Sequence, residues 1–192
     1  LAQIKAPMEI PVSLAEHAAK PATAVLLQAS FDEPSALQAW KTTGDGASAT
    51  IDTQLPFRGR SALKLSGSKA ARIDLSERWQ PIQGAAIVEV RGVLKGNGCD
   101  VVIQLAPRDT SGSDLPPPPS PKKPFLAQPD YAPFCFRFLI GPDWHDFGLR
   151  LELPKGGSAW LDDLTVLYHV PPPELVSFAF ALRGSPAPAV FF

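Results

Sequence analysis

Apolar and polar positions alternate along most of the middle of the chain. In Ser61–Ser66, Leu63 and Leu65 flank Lys64; in Ala70–Leu75, Ile73 and Leu75 flank Asp74. A period of two is the signature of a strand with one buried face. The short loop Gly67-Ser68-Lys69 between these runs predicts a β-hairpin. The same alternation sets Val88 and Val90 against Glu89 and Arg91, places Val101, Ile103 and Leu105 on one face, and turns Arg150 and Glu152 outward from Leu149, Leu151 and Leu153. With Ala24–Phe31, Ala47–Thr53, Phe134–Ile140 and Trp160–Val170, about nine short strands are predicted. Gly44-Asp45-Gly46 and Gly96-Asn97-Gly98 read as hairpin turns by composition. No useful length of chain carries the helical period. Many short strands separated by turn residues predict an all-β fold, an antiparallel β-sandwich or barrel.

Three segments break the rhythm. Residues 1–23, punctuated by Pro7, Pro11 and Pro21, read as an N-terminal arm with a short helix capped by Ser13. Residues 106–133 hold nine prolines, including the run Pro116–Pro119. Such a tract favours extended polyproline II and cannot pair in a sheet, so a long loop is predicted. Residues 171–192 open on Pro171-Pro172-Pro173 and are strongly apolar, forming a C-terminal arm around a sandwich at 24–170. If the strands on either side of the proline-rich loop pair, Cys99 lies opposite about Ile140 and too far from Cys135 for a disulfide. Two buried free thiols are therefore expected.

Composition narrows the function. The chain has 192 residues and a mass of 20.6 kDa, enough for one domain with a real core. Eighteen Lys and Arg against nineteen Asp and Glu leave a formal charge of −1, which argues against binding nucleic acid through a basic surface. Twenty-two prolines exclude long helices over much of the chain. No stretch approaches the roughly 20 apolar residues that span a bilayer. The first residue is Leu1, which reads as a chain trimmed of a targeting segment. With the β pattern, this gives an extracytoplasmic expectation: periplasmic, luminal or secreted.

The motifs do not assemble into a catalytic set. His17, His145 and His169 are scattered, and neither H-E-x-x-H, nor G-x-S-x-G, nor a phosphate loop is present. Asp143-Trp144-His145-Asp146 reads as a solvated turn rather than a proton relay. A non-catalytic protein is expected. Trp79 and Trp144 fall in loops and are the candidate ligand-binding platforms for a glycan, since sugars stack on flat aromatic faces beside polar groups. Leu175, Phe178, Phe180, Phe191 and Phe192 make the C-terminal arm a candidate partner-binding tail. Membrane-surface contact through Phe191 and Phe192 lacks the basic flank that would support it.

Ser30-Phe31-Asp32-Glu33, Trp40, Arg58-Gly-Arg-Ser-Ala-Leu-Lys-Leu65 and Gly156-Gly-Ser-Ala-Trp-Leu-Asp-Asp-Leu-Thr-Val166 follow one another in an order that resembles the jelly-roll carbohydrate-binding modules of the galactose-binding-domain-like group. The resemblance spans residues 28–168 and implies a jelly-roll sandwich with Trp40 and Trp160 in core positions. It also implies a structural calcium at a corner made by Asp32, Glu33 and Asp162. The alternative there is a hydrogen-bonded turn or a salt bridge to Arg58 or Arg60. Of Asp162 and Asp163, adjacent on a strand, one is expected to point inward. The proline-rich loop and the arms depart from the family pattern. They shift the expected function to an accessory binding module docked on a larger extracytoplasmic assembly, with glycan recognition as the alternative.

Overall fold

Eleven strands and one 3-10 turn follow in order: β1 (Ala22–Ala29), η1 (Pro34–Ala39), β2 (Trp40–Thr43), β3 (Ser48–Asp52), β4 (Ala62–Gly67), β5 (Ala71–Leu75), β6 (Ile87–Gly96), β7 (Asp100–Arg108), β8 (Phe125–Leu126), β9 (Ala132–Leu139), β10 (Asp146–Leu153) and β11 (Gly157–Val170). They come from a computed structural model that describes residues 22–81, 86–118, 125–141 and 143–170. Both predicted arms, apart from Ala22 and Thr23, lie outside these residues. Strands β3-β4-β11-β6-β9 form sheet 1, with β1 also pairing β11, and β2-β5-β10-β7-β8 form sheet 2. The two antiparallel sheets make a jelly-roll β-sandwich.

The alternation read from the sequence sets the faces. Leu63, Leu65, Val88, Val90, Leu94, Leu161 and Val166 of sheet 1 meet Ile73, Leu75, Ile103, Leu105, Leu149 and Leu151 of sheet 2 in one core cluster. Each fully buried side chain of this kind contributes about 1.5–3 kcal/mol of transfer free energy. Phe31 closes the core between β1 and η1, buried against Trp40 with ring centroids 6.3 Å apart. It sits at φ 60°, a left-handed conformation that costs a non-glycine residue about 1–2 kcal/mol and that burial of its ring offsets.

Pairing departs from the sequence reading at every point where a short loop was taken for a hairpin. β4 pairs with β3 and β11, whereas β5 pairs with β2 and β10. Gly67-Ser68-Lys69 is therefore a corner between sheets. Leu63 and Leu65 face Ile73 and Leu75 across the core instead of lying beside them. The corner is tight: a Cβ on Gly67 would lie 2.6 Å from that of Ala71, and one on Gly156 only 2.7 Å from the Gly67 carbonyl oxygen. Gly44-Asp45-Gly46 and Gly96-Asn97-Gly98 likewise carry the chain from one sheet to the other. Among the described strands, only β3–β4 and β7–β8 join sequence neighbours within a sheet.

The proline-rich segment also departs from expectation. β7 runs on through Pro107 to Arg108, and β8 pairs with the start of β7 through Asp100↔Leu126 and Val101↔Phe125. β7 and β9 do not pair; β9 lies on β6, with Cys135 opposite Arg91. The thiols are nonetheless free: Cys99 lies in the turn between β6 and β7, and Cys135 within β9. Cys99 is buried as expected, with its thiol directed at the Ser158 carbonyl oxygen at 3.3 Å; Cys135, also expected to be buried, is instead exposed on the outer face of sheet 1, because alternation along β9 turns its neighbour Phe134 inward. In the native protein, Ellman's reagent should therefore label one thiol per chain quickly, and Cys135→Ser should abolish that fast phase. Fast labelling of both thiols would contradict this placement.

Candidate functional site

The loops β5–β6, β7–β8 and β9–β10 converge at one end of the sandwich, where β7 and β10 pair through Asp146↔Arg108. Two interactions fix them there. Arg78 donates through Nε to Asp146 Oδ1 at 2.9 Å and through Nη2 to the Ala106 carbonyl oxygen at 2.8 Å. The His145 N–H donates to the Arg108 carbonyl oxygen at 2.7 Å. Between the loops lies an open cavity of about 580 Å³ lined by Gln80, Pro81, Asp109, Thr110, Asp143, Trp144 and His145.

Trp144 is the aromatic wall of this cavity. Its ring packs on Phe147 at 5.9 Å, which in turn packs on Trp79 at 5.7 Å and Tyr168 at 6.3 Å. The indole is thus rooted in the core on one side and half-buried, leaving surface toward the cavity. Gly141 makes room for it, since a Cβ there would lie 2.8 Å from Trp144 Nε1. Trp79, the other predicted platform, is only 7% exposed and donates from Nε1 to Glu77 at 3.2 Å. It is a core residue, because the β5–β6 loop folds back to bridge Phe147 through the backbone. Around Trp144, the side chains of Gln80, Thr110, Asp143 and His145 make no hydrogen bond to any other described residue. Asp109 is held: its Oδ1 accepts from the Ser111 hydroxyl and from the N–H groups of Ser111 and Ser113, and these hydrogen bonds lower its pKa.

The corner where calcium was expected is built differently. Asp162 faces the outer side of sheet 1, not the core, yet is completely buried beneath the β3–β4 loop. Its Oδ2 accepts the N–H groups of Phe57 at 2.9 Å and Arg58 at 3.1 Å, and Oδ1 accepts that of Asp163 at 2.8 Å. Burial pushes its pKa up, against these three bonds. A β-bulge between Asp162 and Thr165, with Asp163 at φ 49°, makes this geometry. Asp32 Oδ1 accepts the N–H groups of Arg60 at 2.6 Å and Ser61 at 3.2 Å. Arg58 pairs with Asp163 at 3.6 Å, and Glu33 is exposed at the start of η1. Among the described residues, no three His, Cys, Asp or Glu side chains gather into a group that could hold a metal ion. Asp162 Oδ2 and Asp32 Oδ1 both hold the β3–β4 loop, and Asp162 Oδ1 is taken by its own strand, a hydrogen-bonded clasp in place of the gathered carboxylates a calcium cage by Asp32, Glu33 and Asp162 would need.

Sequence reading missed the two outer faces. On sheet 2 the exterior is tiled with ion pairs: Asp74 bridges Arg72 and Arg150 at 2.7 Å each, Gln104 donates to Glu152 at 2.9 Å, and Arg150 reaches Asp114 at 3.6 Å. On sheet 1, Trp160 is buried as expected of a core position but stands outside the core cluster, between Lys64 and Lys95, with Nε1 donating to Asp52 at 2.7 Å. The signal was present: Ala159 and Leu161 point inward, so Trp160 points out. The proposed docking residues Leu175, Phe178, Phe180, Phe191 and Phe192 lie outside the described residues. Among the described residues no helix is long and apolar enough to cross a membrane.

No protein-family model matches the chain, and no curated protein matches its sequence. Solved structures share the fold. The CBM22-1 xylan-binding domain from Paenibacillus barcinonensis Xyn10C superposes with a TM-score of 0.54 at 16% identity, over 77% of this chain and 96% of that one. The C-terminal family 22 carbohydrate-binding module of Clostridium thermocellum Xyn10B gives 0.53 at 12% identity, over 74% and 92%. The enzymatically active domain of bacteriophage CBA120 tailspike protein 4 gives 0.55 at 12% identity, over 72% of this chain but only 20% of that one. At these identities the likeness concerns the fold.

The clasp has a pH signature. Hydrogen bonds from the Arg60 N–H, followed by those from Ser61 and Ser30, hold the Asp32 carboxyl below its ordinary value of 3.8 despite partial desolvation. Asp32 therefore contributes stability above that value, and the contribution is lost as pH falls through its lower, folded-state pKa. Asp32→Asn should lower the unfolding temperature at neutral pH, and the difference from wild type should close in acid. A difference independent of pH would show that the ionised carboxylate is not what holds the loop.

Proposed function

We propose that this chain is a non-catalytic carbohydrate-binding module that seats a glycan in the cavity beside Trp144. The observation that carries the reading is the cavity itself: an indole rooted in the core forms one wall, and unpartnered amide, hydroxyl, carboxylate and imidazole groups stand around it. A pyranose has a C–H face that packs on an indole and a rim of hydroxyls that needs donors and acceptors at its edge. Gln80, Thr110, Asp143 and His145 supply both. The solved modules with this fold, described as xylan-binding or carbohydrate-binding, support the same reading. Docking onto a larger assembly through the C-terminal arm takes second place, since its residues lie outside the described structure. An extracytoplasmic location goes with the glycan reading, because polysaccharides are met there.

Affinity electrophoresis against soluble xylan, mannan and mixed-linkage glucan tests the reading. At least one should retard the wild-type chain, and Trp144→Ala should weaken that binding about tenfold or more, the loss expected for one aromatic stacking contact. Absence of retardation by all three, or retardation untouched by Trp144→Ala, would sink the proposal.

A further inference from the structure

We infer that the outer face of sheet 1 is a second binding surface, built for a polysaccharide that bears carboxylate groups. It shares no residue with the cavity and lies at the other end of the sandwich. Six side chains from β4, β6, β11 and two loops form a continuous stack of cations and rings. Lys64 Nζ lies 5.1 Å from the centre of the Trp160 ring. Lys95 Nζ lies 5.3 Å from the same ring and 4.8 Å from that of Tyr131. Tyr131 packs on Phe57 at 5.4 Å, and the Arg58 guanidinium covers Phe57 at 5.5 Å as the outermost cation. The row is dictated by the backbone, since Trp160 is the register partner of both Lys64 and Lys95.

The charges on this row are unequally matched. Arg58 has Asp163 at 3.6 Å, and Asp52, whose carboxylate feels the charge of Lys64, accepts the Trp160 N–H. Among the described residues neither Lys64 nor Lys95 has a carboxylate within ion-pair distance. Lys95 is thus held by the Trp160 and Tyr131 rings, and Lys64 by the Trp160 ring with the Asp52 charge acting on it from beyond ion-pair distance; each ring contact is worth about 0.5–1 kcal/mol at exposed sites. Such a hold orders the lysines while leaving their charge available. Their strands are two spacings apart, about 10 Å. Cation and ring alternate from Lys64 through Trp160 and Lys95 to Tyr131, as carboxylate and sugar ring alternate along a polyuronate. Binding moves the ammonium groups onto the ligand carboxylates and opens the Trp160 and Tyr131 faces to the sugar. The exposed Phe57 and Leu55 extend the apolar surface at one end. The net charge of −1 disfavours nucleic acid as the polyanion.

Calorimetric titration of the full chain with hexagalacturonate, and with a neutral xylo-oligosaccharide beside it, tests the inference. Wild type should bind hexagalacturonate and lose affinity as NaCl rises to about 0.5 M, where screening is nearly complete within a few ångström. The double variant Lys64→Gln/Lys95→Gln, which keeps most of the side-chain stems, should bind about tenfold more weakly. Lys64→Arg/Lys95→Arg should restore binding. Trp144→Ala should leave it intact, which separates this surface from the cavity. The inference is overturned if wild type does not bind, if the Lys→Gln pair changes nothing, or if Trp144→Ala removes hexagalacturonate binding. Loss of neutral-sugar binding alone would count against the cavity reading and not against this one.

Discussion

A single completely buried carboxylate, that of Asp162, organises the outer side of sheet 1. A charge without solvent is tolerated only where donors replace water. Here three backbone N–H groups do so, two of them from the β3–β4 loop. Asp32 takes the N–H groups of Arg60 and Ser61 at the end of the same loop. Ser61 completes the attachment by donating its hydroxyl to the Phe31 carbonyl oxygen at 2.7 Å. Nine residues that could have hung free between β3 and β4 are thereby laid over the sheet.

The consequences reach beyond the loop. With it in place, Leu55 offers its carbonyl oxygen to the Tyr131 hydroxyl at 2.6 Å, and Phe57 meets the Tyr131 ring. Burial and the charges of Asp162 and Asp52 raise the Tyr131 pKa, so the phenol stays protonated and continues to donate. The aromatic and cationic row on sheet 1 therefore rests on a hydrogen-bonded corner rather than on the core. The cavity at the other end rests on the core, through Trp144, Phe147 and Trp79. The fold thus carries two chemically different surfaces, one with amide, hydroxyl, carboxylate and imidazole groups around a single indole, the other a row of lysines and aromatic rings.

The outer face of sheet 2 shows the opposite solution. Arg72, Asp74 and Arg150 satisfy one another, and Asp114 joins them from the proline-rich segment. Side chains matched in this way gain little from a ligand, since a bound group would first have to displace a partner. That is why Lys64 and Lys95, which have no carboxylate within ion-pair distance among the described residues, are the more informative charges in this molecule.

The period-two pattern alone determined which residues face the core: Leu63, Leu65, Ile73, Val88, Ile103, Leu149 and Leu151 all lie where alternation puts them. It also placed Trp144 in a loop with polar neighbours, and it held, unread, the outward position of Trp160. Alternation is a property of one strand, fixed by the pleat. It says nothing about which strand lies alongside. A Gly-containing loop serves a hairpin or a corner between sheets equally well, so Gly67-Ser68-Lys69 could not reveal that β5 belongs to the other sheet. Nor could it show that Trp79 returns to the core, or that Asp32 and Asp162 share one loop as their partner. Those choices depend on contacts between residues 28 to 105 positions apart, and only the closed sandwich, which must cover both apolar faces at once, decides them.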